Sequence, residues 1–115
     1  KKKAFNIFKT DLENLNINGT EVSDSGIIYL CDHCPKITRL SLAGTYISNT
    51  SFINIARKYP KLTFLESAFN SIDNYGVEYL LCKCKNIKYL NILNNSFSVE
   101  YLNSVYKRIR ENNVS

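Results

Sequence analysis

Two cysteine pairs are the residues of this chain whose types and spacing could do chemistry. Cys31 and Cys34 enclose His33, and Cys82 and Cys84 form a second, tighter pair. Thiolates and imidazole are the ligands that tetrahedral zinc takes, and a Cys-x-x-Cys pair also supports thiol–disulfide exchange. Asp24, Glu66, Asp73 and Glu78 are candidate acid–base carboxylates, but such work needs two groups brought together. The sequence contains no glycine-rich phosphate loop, no Gly-x-Ser-x-Gly and no His-Glu-x-x-His. Whether any of these groups meet depends on the elements that carry them.

Those elements follow from an internal period. Leu15, Leu40, Leu65 and Leu90 stand 25 residues apart, as do Ile17, Leu42, Ser67 and Ile92. The same step joins Thr20, Thr45, Asn70 and Asn95, then Val22, Ile47, Ile72 and Phe97, and later Leu30, Ile55, Leu80 and Val105. Four units therefore keep register without an insertion, at 10–36, 37–61, 62–86 and 87–112. Each opens with an alternating apolar stretch, the pattern of a strand with one buried face. Each continues with Ser23, Ser48, Asp73 or Ser98, residue types whose side-chain oxygens cap helix N-termini. The apolar residue before each cap can pack on the one five later (Val22 on Ile27, Ile47 on Phe52, Ile72 on Val77, Phe97 on Leu102), a hydrophobic staple. Pro35 and Pro60 are expected to end the first two helices. One strand–helix unit cannot bury its own apolar face, whereas stacked units can. The expected fold is an α/β solenoid with a parallel sheet on the concave side and helices on the convex side.

The stretch "CPKITRLSLAGTYISNTSFINI" resembles the leucine-rich repeats of the cysteine-containing subtype. The resemblance covers about residues 10–110, with departures at Ser67, Lys85, Asn86 and Ile109. It implies a single leucine-rich-repeat domain that binds proteins. The subtype is common in F-box proteins, so substrate recognition for an SCF-type ubiquitin ligase is one implied function. A subunit or assembly factor of a large complex, possible in mitochondria, is its rival. No F-box segment is visible in the chain.

The period also places the cysteines. Cys34 and Cys84 share one repeat position two units apart, with Tyr59 between them. At a strand spacing of ~4.8 Å their backbones should lie roughly 10 Å apart, beyond the ~7 Å reach of a disulfide. Cys31 aligns with Ala56, Leu81 and Tyr106, a core position, while Cys82 aligns with Asp32, Arg57 and Lys107 and is expected to be exposed. The cysteines read as packing residues, with redox sensitivity at Cys82 as the alternative. His33 aligns with Lys58 and Lys83 and reads as a solvated residue at a helix C-terminus, where positive charge is favoured. The four carboxylates come from different repeat positions. No enzyme, metal or cofactor is expected.

Binding is expected on the outward strand residues. One column reads Asn14, Arg39, Phe64, Tyr89, the next Asn16, Ser41, Glu66, Asn91, then Asn18, Ala43, Ala68, Leu93, and then Gly19, Gly44, Phe69, Asn94. The first two units are small or polar there, and the last two offer Phe64, Phe69, Tyr89 and Leu93. Clustered exposed apolar residues mark contact sites, and aromatics with Arg dominate interface energies. The predicted partner face is Arg39, Phe64, Glu66, Phe69, Tyr89, Asn91 and Leu93, for a protein rather than a small molecule.

Composition fits this reading. The chain has 115 residues, one domain's worth, and is 44% hydrophobic with a formal charge of +5. No apolar run approaches the ~20 residues that cross a membrane. So few cysteines do not make a disulfide scaffold, and an intracellular setting, cytoplasmic, nuclear or mitochondrial, is the default. The cations favour helix ends and the turns after them, which leaves binding of nucleic acid or an acidic partner as a lesser alternative. Phe5 falls in register with Leu30, so residues 1–9 read as the end of an earlier helix in a longer protein. Asn112 replaces the apolar residue found at Ile37, Leu62 and Ile87, so the last helix is expected to cap the array.

Overall fold

The computed structural model describes residues 10–113. Strands and helices alternate as β1 Asn14–Asn16, α1 Asp24–His33, β2 Arg39–Ser41, α2 Asn49–Lys58, β3 Phe64–Glu66, α3 Asn74–Lys83, β4 Tyr89–Asn91 and α4 Val99–Asn112. The four strands form one parallel sheet in chain order. Asn14 pairs with Arg39, Arg39 with Phe64 and Phe64 with Tyr89, the step of the sequence period. The expected four-unit α/β solenoid is the observed fold. The helix expected to end within residues 1–9 lies outside the described residues. Among the described residues no helix is long and apolar enough to cross a membrane.

The core lies between sheet and helices. Leu40, Leu65 and Leu90 are buried from the strands, and Ile27, Phe52, Ile55, Val77 and Leu80 from the helices. All four staple pairs belong to this cluster, the outermost (Val22 and Phe97) only half-buried. The caps form where expected: Ser48 accepts from the Thr50 N–H, Asp73 from Tyr75 and Ser98 from Tyr101. Ser23 occupies the cap position of α1 without a side-chain cap bond. Asp24, the first residue of α1, instead accepts from the Ser48 N–H (2.9 Å) and Ser48 Oγ (2.6 Å) of the next unit. Asn49 repeats the link one unit on, accepting from the Asp73 N–H at 3.1 Å.

Ser67, polar at a core strand position, is fully buried. Its Oγ accepts from Asn70 Nδ2 at 3.2 Å, so the hydroxyl is satisfied rather than stranded. Asn70 also donates to the Leu42 carbonyl (2.9 Å), and its Oδ1 accepts from the Thr45 N–H (3.1 Å). Asn95 repeats the device, donating to the Ser67 carbonyl (3.1 Å) and accepting from the Ile72 N–H (2.9 Å). These amides join the turns of successive units alongside main-chain bonds such as Gly44 N–H to the Ala68 carbonyl (2.9 Å) and isolated parallel bridges at Ser23–Tyr46 and Ser48–Ser71.

The helices end at His33, Lys58 and Lys83, each with the next residue's N–H returned to the carbonyl four back. α3 does so without a following proline. Gly26, Ser51 and Gly76 share a column on the helices that face one another. A Cβ on Gly76 would fall 3.3 Å from Asn49 Cα and nearer still to its side chain. Tyr101 occupies that column in α4, which stands off from α3 and reaches it through long side chains. Arg108 grips Glu78 with both terminal nitrogens (3.0 and 2.6 Å), and the Tyr101 hydroxyl donates to the same carboxylate. At 14 residues α4 outlasts the 10-residue helices before it.

Candidate protein-binding surface

The parallel register sets Arg39, Phe64 and Tyr89 side by side on the open sheet face. The Arg39 guanidinium carbon lies 4.2 Å from the Phe64 ring centroid. Phe64 and Tyr89 stack with centroids 4.4 Å apart and planes 8° from parallel. The three planar groups form one tier across β2, β3 and β4, each contributing cation–π or stacking energy of ~0.5–1.5 kcal/mol. Glu66 braces the tier from below: its Oε1 accepts from the Tyr89 hydroxyl (3.2 Å) and from Asn91 Nδ2 (3.1 Å), and its Oε2 from the Ala68 N–H (3.2 Å). Burial, then the Glu66 charge, raises the Tyr89 hydroxyl above its ordinary range. Tyr89 is therefore a neutral donor at physiological pH.

Phe69 and Leu93 extend the apolar surface toward the turns, with the Phe69 N–H donating to the Leu93 carbonyl at 3.0 Å. Phe69 is 63% exposed, Leu93 45% and Tyr89 42%. The turn column is left-handed in every unit, at Gly19 (φ 71°), Gly44 (φ 64°), Phe69 (φ 59°) and Asn94 (φ 59°). Glycine and asparagine adopt that conformation readily, whereas a bulky side chain is strained there by ~1–2 kcal/mol. Phe69 is therefore both exposed and strained.

The structure thus sets five of the expected residues (Arg39, Phe64, Glu66, Tyr89 and Asn91) on β2, β3 and β4, and Phe69 and Leu93 in the turns that follow β3 and β4, with two roles among them. Glu66 and Asn91 are engaged with Tyr89 and each other, while Arg39, Phe64, Phe69, Tyr89 and Leu93 offer surface. Tyr46 was missed. It is 70% exposed and lines a cleft with Phe69, Asn70 and Asn94. Its signal was present: the column Glu21, Tyr46, Ser71, Ser96 is otherwise polar.

The candidate chemical groups do not converge. Cys31, Cys34 and Cys84 are buried and unbridged, and Cys82 is exposed. Burial pushes the Cys31 and Cys84 thiols up to about 11. Cys84 Sγ donates to the Tyr59 carbonyl (3.3 Å), and the Tyr59 hydroxyl to the Cys34 carbonyl (2.7 Å), so this column is a packing ladder. Among the described residues no three His, Cys, Asp or Glu side chains could hold a metal. His33 is less solvated than expected: its ring stacks on Tyr29 at 3.9 Å and its Nδ1 contacts the Tyr29 carbonyl at 2.8 Å. Asp24, Glu66, Asp73 and Glu78 serve four separate hydrogen-bond sets.

This geometry defines a leucine-rich-repeat-like solenoid with an aromatic concave face. No family model matches the chain, and no curated protein matches it. Among solved structures it is similar to the tropomodulin C-terminal domain of Caenorhabditis elegans. That likeness has a TM-score of 0.65 and 25% identity, over 96% of this chain and 71% of that one. The cysteine-containing, F-box/LRR-like subtype expected from the sequence is overturned by these findings. The reason lies in the core. Cys31, Cys34 and Cys84 are the small apolar fillers that stacking requires, so they report a solenoid and not a subtype.

Proposed function

We propose that the chain is a protein-binding scaffold whose contact surface is the concave face and adjoining turn rim of its last two units, with Arg39 and Tyr46 of the second unit at its margin. The observation that carries this reading is Phe69. A left-handed position filled by glycine or asparagine in the other units holds an exposed aromatic ring. Strain of that kind persists where function requires it. The likeness to a tropomodulin domain of the same fold supports a scaffold of this general kind. The partner meets a rigid tier, Arg39 on Phe64 on Tyr89, whose side chains are already ordered. Contact there costs less side-chain entropy than on mobile surface residues. Tyr46, Phe69 and Leu93 add apolar area along the rim.

The test is recovery of partners from the protein's own cells with the native chain, Phe69→Asn and Tyr89→Ser in parallel. A partner retained by the native chain and lost from both variants, with unchanged melting behaviour, is the expected result. A partner set identical in all three would remove the concave face from function.

A further inference from the structure

We propose that the cleft between β4 and α4 docks an acidic segment of the protein partner, with an apolar side chain seated between paired carboxylates. This rests on the protein-binding reading above and adds a second, electrostatic contact at its margin. The cleft measures about 360 Å³, room for one or two side chains. Tyr89, Leu93, Tyr106 and Ile109 give it apolar walls, and Lys88 and Arg110 flank it. Among the described residues no carboxylate lines it. It shares Tyr89 with the concave tier, so a chain lying on that face runs directly into it.

Charge across the molecule favours an acidic occupant. Every described Lys or Arg except Arg39 lies in the second half of a helix or in the loop that follows. Glu21, Asp24, Asp73 and Glu100 lie at the opposite, helix-N-terminal edge. On the basic edge, Lys36 pairs with Asp11 (3.1 Å), Lys58 with Asp32 (3.4 Å) and Arg108 with Glu78 (2.6 Å). Lys88 and Arg110, like Arg57, Lys61, Lys83, Lys85 and Lys107, make no ion pair among the described residues, and they are the two of these that line the cleft. Helix polarity explains Arg110 in the last turn of α4, but Lys88 lies outside any helix. Lys107, three residues before Arg110, adds positive charge to the same turn of the helix, and Glu111, four residues after Lys107, offsets part of it.

Side-chain docking suits this cleft better than strand addition. Tyr106 Oη accepts from the Ile92 N–H, and Asn113 Nδ2 donates to the Lys88 carbonyl, both at 3.3 Å. Two main-chain groups on the outer side of β4 are thus already occupied. A nucleic-acid strand needs a row of cations with repeated stacking faces. Here two cations flank one side-chain-sized cleft beside a single exposed ring.

The test uses a short synthetic peptide alternating glutamate with leucine and phenylalanine, its glutamine counterpart, and a single-stranded oligonucleotide. Binding to the native chain is followed by fluorescence anisotropy across a salt series. The acidic peptide should bind more tightly than the glutamine peptide and the oligonucleotide, and more weakly as salt rises. Lys88→Glu with Arg110→Glu should weaken it by about tenfold or more. Lys88→Gln with Arg110→Gln should act in the same direction and serves if the charge reversal disturbs folding. A control with glutamine at Lys36, Arg57, Lys58 and Lys61 removes more charge elsewhere and should leave binding within about twofold. Equal loss in that control, no loss in the cleft variants, or tighter binding of the oligonucleotide would overturn the proposal. Phe69→Asn should leave peptide binding intact. A failure of the cleft is therefore distinguishable from a failure of the concave face, which is read with the native partner.

Discussion

Replacing Phe69 with asparagine separates fold from function, because the two respond differently. Phe69 sits at φ 59°, the same value as Asn94 one unit on. Asparagine tolerates this conformation, so the substitution releases ~1–2 kcal/mol of backbone strain. Against that stands lost burial. The ring is 63% exposed, so about a third of its ~200 Å² is covered, worth ~1.7 kcal/mol at ~25 cal/mol/Å². A compact unfolded chain lowers this to ~1–1.5 kcal/mol. The two effects nearly cancel. Stability should change by less than ~1 kcal/mol, a melting shift within about 5 °C. Phe52, fully buried in the same fold, should instead cost ~3–5 kcal/mol as Phe52→Ala. Partner affinity should fall by ~2 kcal/mol, about thirtyfold, if the ring is an interface anchor. Calorimetric melting and titration of the recovered partner provide the two readouts. A melting point lowered by more than about 10 °C would make Phe69 a structural residue, and unchanged affinity would deny it a contact role.

Other consequences follow from the inter-unit links. Burial acts to raise the Asp24 pKa, but hydrogen bonds from Ser48 and Ser51 outweigh it and hold the carboxyl below its ordinary value. A depressed folded pKa gives stability that is present above the unfolded value of ~3.9 and is lost as pH falls through the folded one. Melting temperature should therefore drop below about pH 4, and Asp24→Asn should flatten that drop; equal slopes would refute the link. Gly76→Ala should destabilise by ~1–3 kcal/mol in urea titrations through overpacking against Asn49, although alanine elsewhere in a helix gains ~1 kcal/mol over glycine. Only Cys82 is exposed among the four thiols, so a thiol reagent should label one site in the native chain and all four after denaturation. Rapid labelling of a second site under native conditions would contradict the packed cysteine column.

The repeat register was legible because one period governs two kinds of burial. Leu15, Leu40, Leu65 and Leu90 fix the sheet, and the helix residues in step with them fix the stacking. Strand pairing and cap positions follow from that single count. What escaped the sequence were contacts made by side chains of neighbouring units whose geometry no period encodes. Asn70 and Thr45 share a column, yet nothing in their types shows that one bonds the other across the turn. Arg108 and Glu78 lie 30 residues apart and meet only because α4 stands off from α3. The concave residues were visible as a column of aromatics, but the strain at Phe69 was not. Gly19 and Gly44 hinted at a left-handed position, and reading that hint onto Phe69 requires the backbone. The subtype was misjudged for a related reason: consensus positions of a repeat are its packing positions, which many repeat families fill alike.

The departures from regularity gather at one end of the array, and they are physically connected. Gly26, Ser51 and Gly76 are small where neighbouring helices meet, and Tyr101 fills the same position in α4. Its ring holds α4 away from α3, and the Tyr101 hydroxyl and Arg108 span the gap to Glu78. Displaced in this way, α4 exposes grooves on both sides of the buried Ile109, one against α3 and one against β4. The second groove opens beside Tyr89, where the aromatic tier ends. Units one and two keep glycine in their turns and small or polar residues on much of their strand face. Units three and four carry the strained Phe69, the stacked rings and the splayed helix. A regular solenoid presents similar surface in every unit, so selectivity for one partner must come from breaks in the pattern. In this chain Phe69, the stacked rings and the cleft beside Tyr89 adjoin one another, joined by the Phe69 N–H bond to the Leu93 carbonyl and by Leu93 in the cleft wall.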